Sequence, residues 1–322
     1  MRLSHFTILF LFFLGLGQMN GQRSSISTMH VLNPYQNVQA YGGFDRSVSA
    51  TMMYRSQWTP VAGGPKYLHL NMHLPIYFLN GGTGILFEQE ELGLETNRTM
   101  KLSYNLVFQT AYGLFSGAAS AGFEQKTLSG DAIITPEGIY EPGGGIVHND
   151  PILPNTTING IRPSWGLSLL WQFENMTAGL QLDDFFNSGV NFGNLNYRST
   201  RVVTLIADYQ YKIDADITIR PNLMVVTNLQ KLQLNLGVLF NYGNIFGGLN
   251  LRGWSDSSIE SLGIISGIQF NKHYTIAYSY DLGLSSLKSQ TEGSHEIIFK
   301  YNLNKIINTG LPPRIIYNPR DL

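Results

Sequence analysis

The segment KLQLNLGVLFN, Lys231 to Asn241, alternates apolar and polar side chains with a period of two. Leu232, Leu234, Leu236, Val238 and Phe240 share one face. Lys231, Gln233, Asn235, Gly237 and Asn241 share the other, and only Leu239 breaks the pattern. Successive side chains of a strand point to opposite faces, so this segment has one oily face and one wet face. A soluble sandwich shows such a segment once or twice. Here it recurs from residue 45 to residue 303 in segments of about ten residues with short polar breaks, the pattern of a transmembrane β-barrel.

The clearest further segments are 45–58, 66–76, 98–110, 164–173, 273–281 and 294–303. In 45–58, Val48, Ala50, Met52, Tyr54 and Trp58 oppose Ser49, Thr51, Arg55 and Gln57. In 294–303, Ile297, Phe299, Tyr301 and Leu303 oppose Glu296, Lys300 and Asn302. Weaker candidates fall at 82–92, 114–126, 176–184, 200–212, 215–227, 243–253 and 258–270. With 231–241 the count is about fourteen, an even number as such barrels require. The expected fold is all-β: an antiparallel up-and-down transmembrane β-barrel.

The connections add a second pattern. Every other one is short: 77–81, 113, 174–175, 213–214, 242 and 271–272. The alternate set, 59–64, 93–96, 127–162, 185–199, 228–230, 254–257 and 282–293, contains all the long ones. Short periplasmic turns and longer outer loops are what barrels show, so the barrel is expected to begin at the periplasmic side. Residues 127–162 read as a loop of about 35 residues, long enough to suggest function or disorder. Gly143, Gly144 and Gly145 favour mobility there.

Composition agrees. Of 322 residues 13% are charged, against roughly 25% in soluble domains. Aromatics reach 12%, and there are 34 Gly. Mean hydropathy is −0.04. No segment past the N-terminus approaches the ~18 apolar residues of a spanning helix. The net charge of −1 argues against nucleic acid as a partner, and the absence of Cys excludes disulfides and thiolate metal sites.

At the N-terminus, Arg2 precedes the apolar run FTILFLFFLGLG, Phe6 to Gly17. This has the length of a signal peptide and is too short for a transmembrane helix. Gly15 and Gly17 allow cleavage after Gly17, and Gly21 allows cleavage ahead of Gln22. The expected organisation is a signal peptide at 1–21, an entry segment at 22–44 whose ordered part begins at Asn33-Pro34, the barrel at 45–303, and a periplasmic tail at 304–322. Three Pro residues in the tail exclude a further ladder strand. Export together with a barrel implies a bacterial outer membrane.

Several segments in order resemble the PorP/SprF family of type IX secretion and gliding-motility membrane proteins of the Bacteroidota. They are LNPYQNVQAYGG, then YRSQWTPVAGGP with Arg55, Gln57, Trp58 and Pro65, then Gly84 with Gly93. HNDPILP, RPSWGLSLLW, YSYDLGLSSL and GSHEIIFKYNL follow, so the likeness spans most of the mature chain. The resemblance implies an outer-membrane component of type IX secretion. Such a protein binds periplasmic secretion components, or pairs with one secreted protein or adhesin through its C-terminal domain. It also implies no enzymatic activity, metal or cofactor.

Among individual residues, Arg55 and Gln57 read first as lumenal packing and Trp58 as part of an aromatic girdle. The functional alternative has Arg55 and Gln57 closing the barrel against an inserted segment. His69 and His73 lie about 13 Å apart along one strand face, too far to share a metal ion, so lumenal hydrogen bonding is expected. His273 with Ser279 and His295 with Ser294 are the available material for a hydrolase, and neither has nucleophile-elbow context. Asp183-Asp184 and the run from Glu88 to Glu91 read as solvated rim charge. Arg314, Tyr317 and Arg320 in the tail are candidate periplasmic docking residues. A diffusion channel or hydrophobic-solute transporter remains the alternative function, because a barrel of this size can enclose a passage or be filled.

Overall fold

The computed structural model describes residues 26–140, 146–150, 153–186, 188–192, 195–255, 258–284 and 291–307. Fourteen antiparallel strands close into a barrel. They are β1 (Ser49–Ser56), β2 (Lys66–Ile76), β3 (Gly81–Leu92), β4 (Glu95–Thr110), β5 (Gly113–Ser129), β6 (Thr157–Phe173) and β7 (Met176–Asp183). The second half comprises β8 (Val202–Tyr209), β9 (Ile217–Thr227), β10 (Leu232–Tyr242), β11 (Ile245–Ser255), β12 (Ser258–Phe270), β13 (Tyr274–Gly283) and β14 (Ser294–Asn302). Each strand pairs with its sequence neighbours, and β1 pairs with β14 with Ser49 opposite Asn302 and Arg55 opposite Glu296. Closure leaves the barrel without a free sheet edge.

Burial is inverted relative to a soluble protein. Leu102, Leu169, Phe240 and Ile297 are exposed on the outside, Leu102 at 61%. Thr51, Asn71, Ser103, Gln181, Asn235 and Glu296 are buried on the inside. Such a wall is stable only where lipid takes the place of outer water. Aromatics gather at the short-turn end. There Trp171 stacks on Phe173 at 6.2 Å between ring centres, and Tyr274 meets Tyr301 at 5.3 Å. Aromatic belts mark membrane–water interfaces.

Four expectations need correction. Strands β5 and β6 run on to Ser129 and back to Thr157, and their continuous ladder pairs Ser129 with Thr157. The long connection is therefore 130–156, not 127–162, and Ile139–Tyr140 pairs with Ile146–Val147 inside it. Gly143–Gly145 lie outside the described residues. The connection after β7 contains a hairpin, Gly189–Phe192 with Leu195–Arg198. The segment 200–212 divides at Gln210, whose amide turns to Asn175 O. The largest difference is at the start. Order does not begin at Asn33, because Ser27 to Val31 are already buried.

Residues 26–44 run inside the lumen. Ser27 to Met29 bond to residues near the long-loop ends of the strands, and Asp45 bonds to residues near the short-turn ends. The segment is wound into single turns: His30–Leu32, Pro34–Asn37 and Gln39–Tyr41. Pro34 opens the second, where its missing N–H and fixed φ cost nothing. Tight turns suit a chain confined by a polar wall, and the amides of Thr28, Met29, Gln39, Ala40 and Gly43, which the turns leave over, find wall side chains.

Candidate functional site: the occupied lumen

The inserted segment packs against two apolar patches on an otherwise polar wall. Met29 and Val31 meet Met53, Tyr67, Leu239, Ile265, Ala277 and Ile298. Val38 and Ala40 meet Ala118, Leu170, Ile206 and Met224. Leu239, the one residue that breaks the alternation of β10, therefore faces inward and is covered by the segment. Burying an aliphatic side chain of this kind is worth about 1.5–3 kcal/mol, so these patches hold the segment without any charged contact.

At the long-loop end sits a buried cluster of charges. Arg55 on β1 bonds Asp281 of β13 at 2.7 Å and Glu296 of β14 at 3.0 Å. Arg252 of β11 lies 3.3 Å from Asp281. All four are under 5% exposed. The inserted segment completes the cluster. Glu296 accepts the amides of Thr28 (2.9 Å) and Met29 (3.2 Å) and the hydroxyl of Ser27 (2.5 Å). Thr28 Oγ1 donates to Asp281 at 2.8 Å and accepts from Arg55 at 3.1 Å and from Arg252. One hydroxyl thus uses its proton and both lone pairs on charged partners.

Further along, Tyr35 shares a 2.7 Å bond with Ser103, and Gln39 exchanges two bonds with Gln181. Ala40 N donates to Ser168, and Ala40 O accepts from Ser116. Asn33 accepts from Asn71, and Gly43 N donates to His73 Nδ1. At the short-turn end Asp45 accepts from Tyr41 (2.7 Å) and Ser49 (2.5 Å) and lies 3.1 Å from Lys300. Burial pushes the Asp45 carboxyl up. Lys300, His73 and the two hydroxyls outweigh that, so it sits well below the ordinary range. Burial, with Arg252 adding charge repulsion, pushes His30 down to about 4.

At the long-loop end lies a cavity of about 350 Å³, lined by Ile26 and Ser27 and, further along the segment, by Gln36, Asn37 and Gln39. Its walls carry ion pairs. Arg162 holds Asp184 through both nitrogens and also bonds Glu124; Lys101 bonds Asp183 at 2.7 Å, and Lys126 bonds Glu95 at 2.7 Å. Asp183 and Asp184 are therefore paired wall residues rather than solvated rim charge. Glu88 likewise turns inward to Tyr67 and His69.

Of the residues singled out in the sequence, Arg55 enters the charge cluster. Gln57 and Pro65 meet elsewhere, through Gln57 N to Pro65 O at 2.8 Å. Trp58 is partly exposed at the rim, and its amide donates to Ser294. His69 bonds Glu88 and Asn71. The Ser–His pairs are not brought together. His273 bonds Asn302 O, and His295 bonds the Tyr278 hydroxyl at 2.6 Å. Arg314, Tyr317 and Arg320 lie outside the described residues, as do residues 1–25.

The PorP/SprF profile, described as type IX secretion system membrane protein, matches residues 22–301, a span that takes in the inserted segment and nearly the whole barrel. The chain belongs to the PorP/SprF family. It is a β-barrel membrane protein of type IX secretion, and the family is one of secretion-system barrels rather than of enzymes. No curated protein matches the chain. Among solved structures, the barrel is similar to the Acinetobacter baumannii outer membrane protein Omp33. Identity is 10%, coverage is 80% of this chain and 97% of that one, and the TM-score is 0.47. It is also similar to the Ralstonia pickettii toluene transporter TbuX, at 9% identity, 88% and 95% coverage and a TM-score of 0.47.

Proposed function

We propose that this PorP/SprF barrel is a closed outer-membrane receptor that binds one secreted protein or adhesin and helps to secrete it or hold it at the surface. The observation that carries this reading is the occupied lumen. Residues 27–43 bond to β2, β4, β6, β7, β11, β13 and β14 and pack on apolar residues of β8, β9, β10 and β12, so the protein's own chain lies in the route a diffusing solute needs. What remains for a partner is the long-loop end, where 130–156 and 184–201 are the longest connections. In this reading the signal peptide at 1–21 directs export, and the long-loop end faces outward. The tail at 304–322 docks on periplasmic secretion components through Arg314, Tyr317 and Arg320.

The test is an exchange of residues 130–156 for the corresponding loop of a paralogue. Affinity purification from outer membranes then identifies the secreted protein that accompanies each chain. A change of partner supports the receptor. An unchanged partner, or steady conductance with no secreted partner, overturns it. Deleting 309–322 tests the tail separately, and retention of periplasmic components would remove that part.

A further inference from the structure

We infer that the cluster of Arg55, Arg252, Asp281 and Glu296 is a binding site for a turn of polypeptide with adjacent hydroxyl side chains followed by an aliphatic one, the conformation that Thr28 and Met29 adopt there. Residues 27–29 occupy it as a built-in competitor. This rests on the receptor reading above and names the chemistry of what the receptor takes.

The site reads main chain and hydroxyls. The two oxygens of Glu296 take two consecutive amides and one hydroxyl, and Asp281 and both arginines converge on a second hydroxyl. Only Met29 is read by shape, as a member of the apolar cluster that Val31 shares with Met53, Tyr67, Leu239, Ile265, Ala277 and Ile298. These are requirements another chain can meet. The site is also neutral in itself, since two guanidinium groups face two carboxylates. Its present occupant, Ser27-Thr28-Met29, carries no charge either. One uncharged segment can therefore replace another without leaving a buried charge uncompensated, the step that makes most buried ion clusters resist exchange.

Access runs the right way. The cavity at the long-loop end is lined by Ser27, the residue that opens the occupied site, and by Ile26 before it. Withdrawal of 26–29 leaves the segment from Asn33 to Asp45 held by its own bonds to Asn71, Ser103, Gln181, Ser168 and Lys300. The exchange thus vacates the site while the lower lumen stays filled. It follows the logic of intramolecular competition, in which an incoming segment pays for displacing the resident one.

The test uses a fluorescein-labelled synthetic peptide of residues 22–33 as probe. The protein is the full chain in detergent and a chain lacking 26–30. Fluorescence anisotropy should show binding to the shortened chain at least tenfold tighter than to the full chain. Glu296→Gln in the shortened chain, or alanine at the Ser27 and Thr28 positions of the peptide, should each weaken it at least tenfold. Where the shortened chain fails to form a heat-modifiable barrel, the full chain carrying Ser27→Ala and Thr28→Val decides: gain of probe binding supports the site. Absence of binding, or binding indifferent to Glu296, overturns it. Partner co-purification is read on the same preparations. Loss of peptide binding with the partner retained removes this site and leaves the receptor reading; the converse removes the receptor reading alone.

Discussion

Replacing Thr28 by Val keeps the shape of the side chain and removes one hydroxyl from the centre of the charge cluster. In the native chain that hydroxyl donates to Asp281 at 2.8 Å and accepts from Arg55 at 3.1 Å and from Arg252. Each such bond to a charged group is worth about 1.5–3 kcal/mol. The ion pairs among Arg55, Asp281, Glu296 and Arg252 survive and recover part of the loss, so the net cost falls near 3 kcal/mol. The cost acts on the seated position of 27–29, not on the barrel. At 1.4 kcal/mol per tenfold, the unseated population rises about 150-fold. The amides of Thr28 and Met29, both bonded to Glu296, report that population through hydrogen exchange. Thr28→Val should speed exchange at positions 28 and 29 by about that factor while amides in β4 and β5 keep their protection. Unchanged exchange at 28 and 29, or equal acceleration throughout the barrel, would refute the reasoning.

Acidification should loosen the same segment. His30 is buried and held near 4, against an ordinary 6.5 once released, so the seated state requires the neutral ring. Its stabilisation is whole above pH 6.5 and is lost as the pH falls from 6.5 towards 4, by about 3 kcal/mol at most. Asp45 titrates below that window, since its folded carboxyl lies under the ordinary range. Exchange at 27–31 compared between pH 7.5 and 4.5, corrected for intrinsic rates, checks this, and His30→Gln should abolish the difference. Gly84→Ala places a methyl against the Tyr35 hydroxyl and ring and should displace Tyr35 from Ser103, costing about 1–3 kcal/mol. Faster exchange at 35–38 reads it, and Gly117→Ala, whose methyl meets only Leu169 at 3.6 Å, is the control. Leu102→Arg puts a charge on the lipid face at the middle of β4 and should cost about 2–4 kcal/mol in urea unfolding from lipid vesicles.

The barrel was legible because lipid outside and polar lumen inside impose a period of two on every strand. The segments 66–76 and 258–270 coincide with β2 and β12 to the residue. The inserted segment was not legible as such. It has no repeat, and its apolar residues, Met29, Val31, Val38 and Ala40, contact partners more than a hundred positions away as well as near ones. The signal lay in the exceptions. Met53, Leu239, Ala277 and Ile298 are apolar residues on wet faces, and each is covered by the segment. Leu170, Ile206 and Met224 mark the second patch in the same way. An oily residue on a lumenal face implies something that fills the lumen beside it. Arg55 could be placed inside from its parity, but its partners at 281 and 296 depend on barrel closure, which brings β14 beside β1. The alternation overstates the long connection because β5 and β6 continue beyond the oily belt. There both faces meet water and the alternation fades.

Conductance across a planar lipid bilayer tests the central claim most directly. The full chain should insert without steady openings, and a chain lacking 26–44 that still forms a heat-modifiable barrel should conduct. Steady openings of the full chain, equal in size to those of the shortened one, would contradict the account, because the lumen would then be open with its own segment in place.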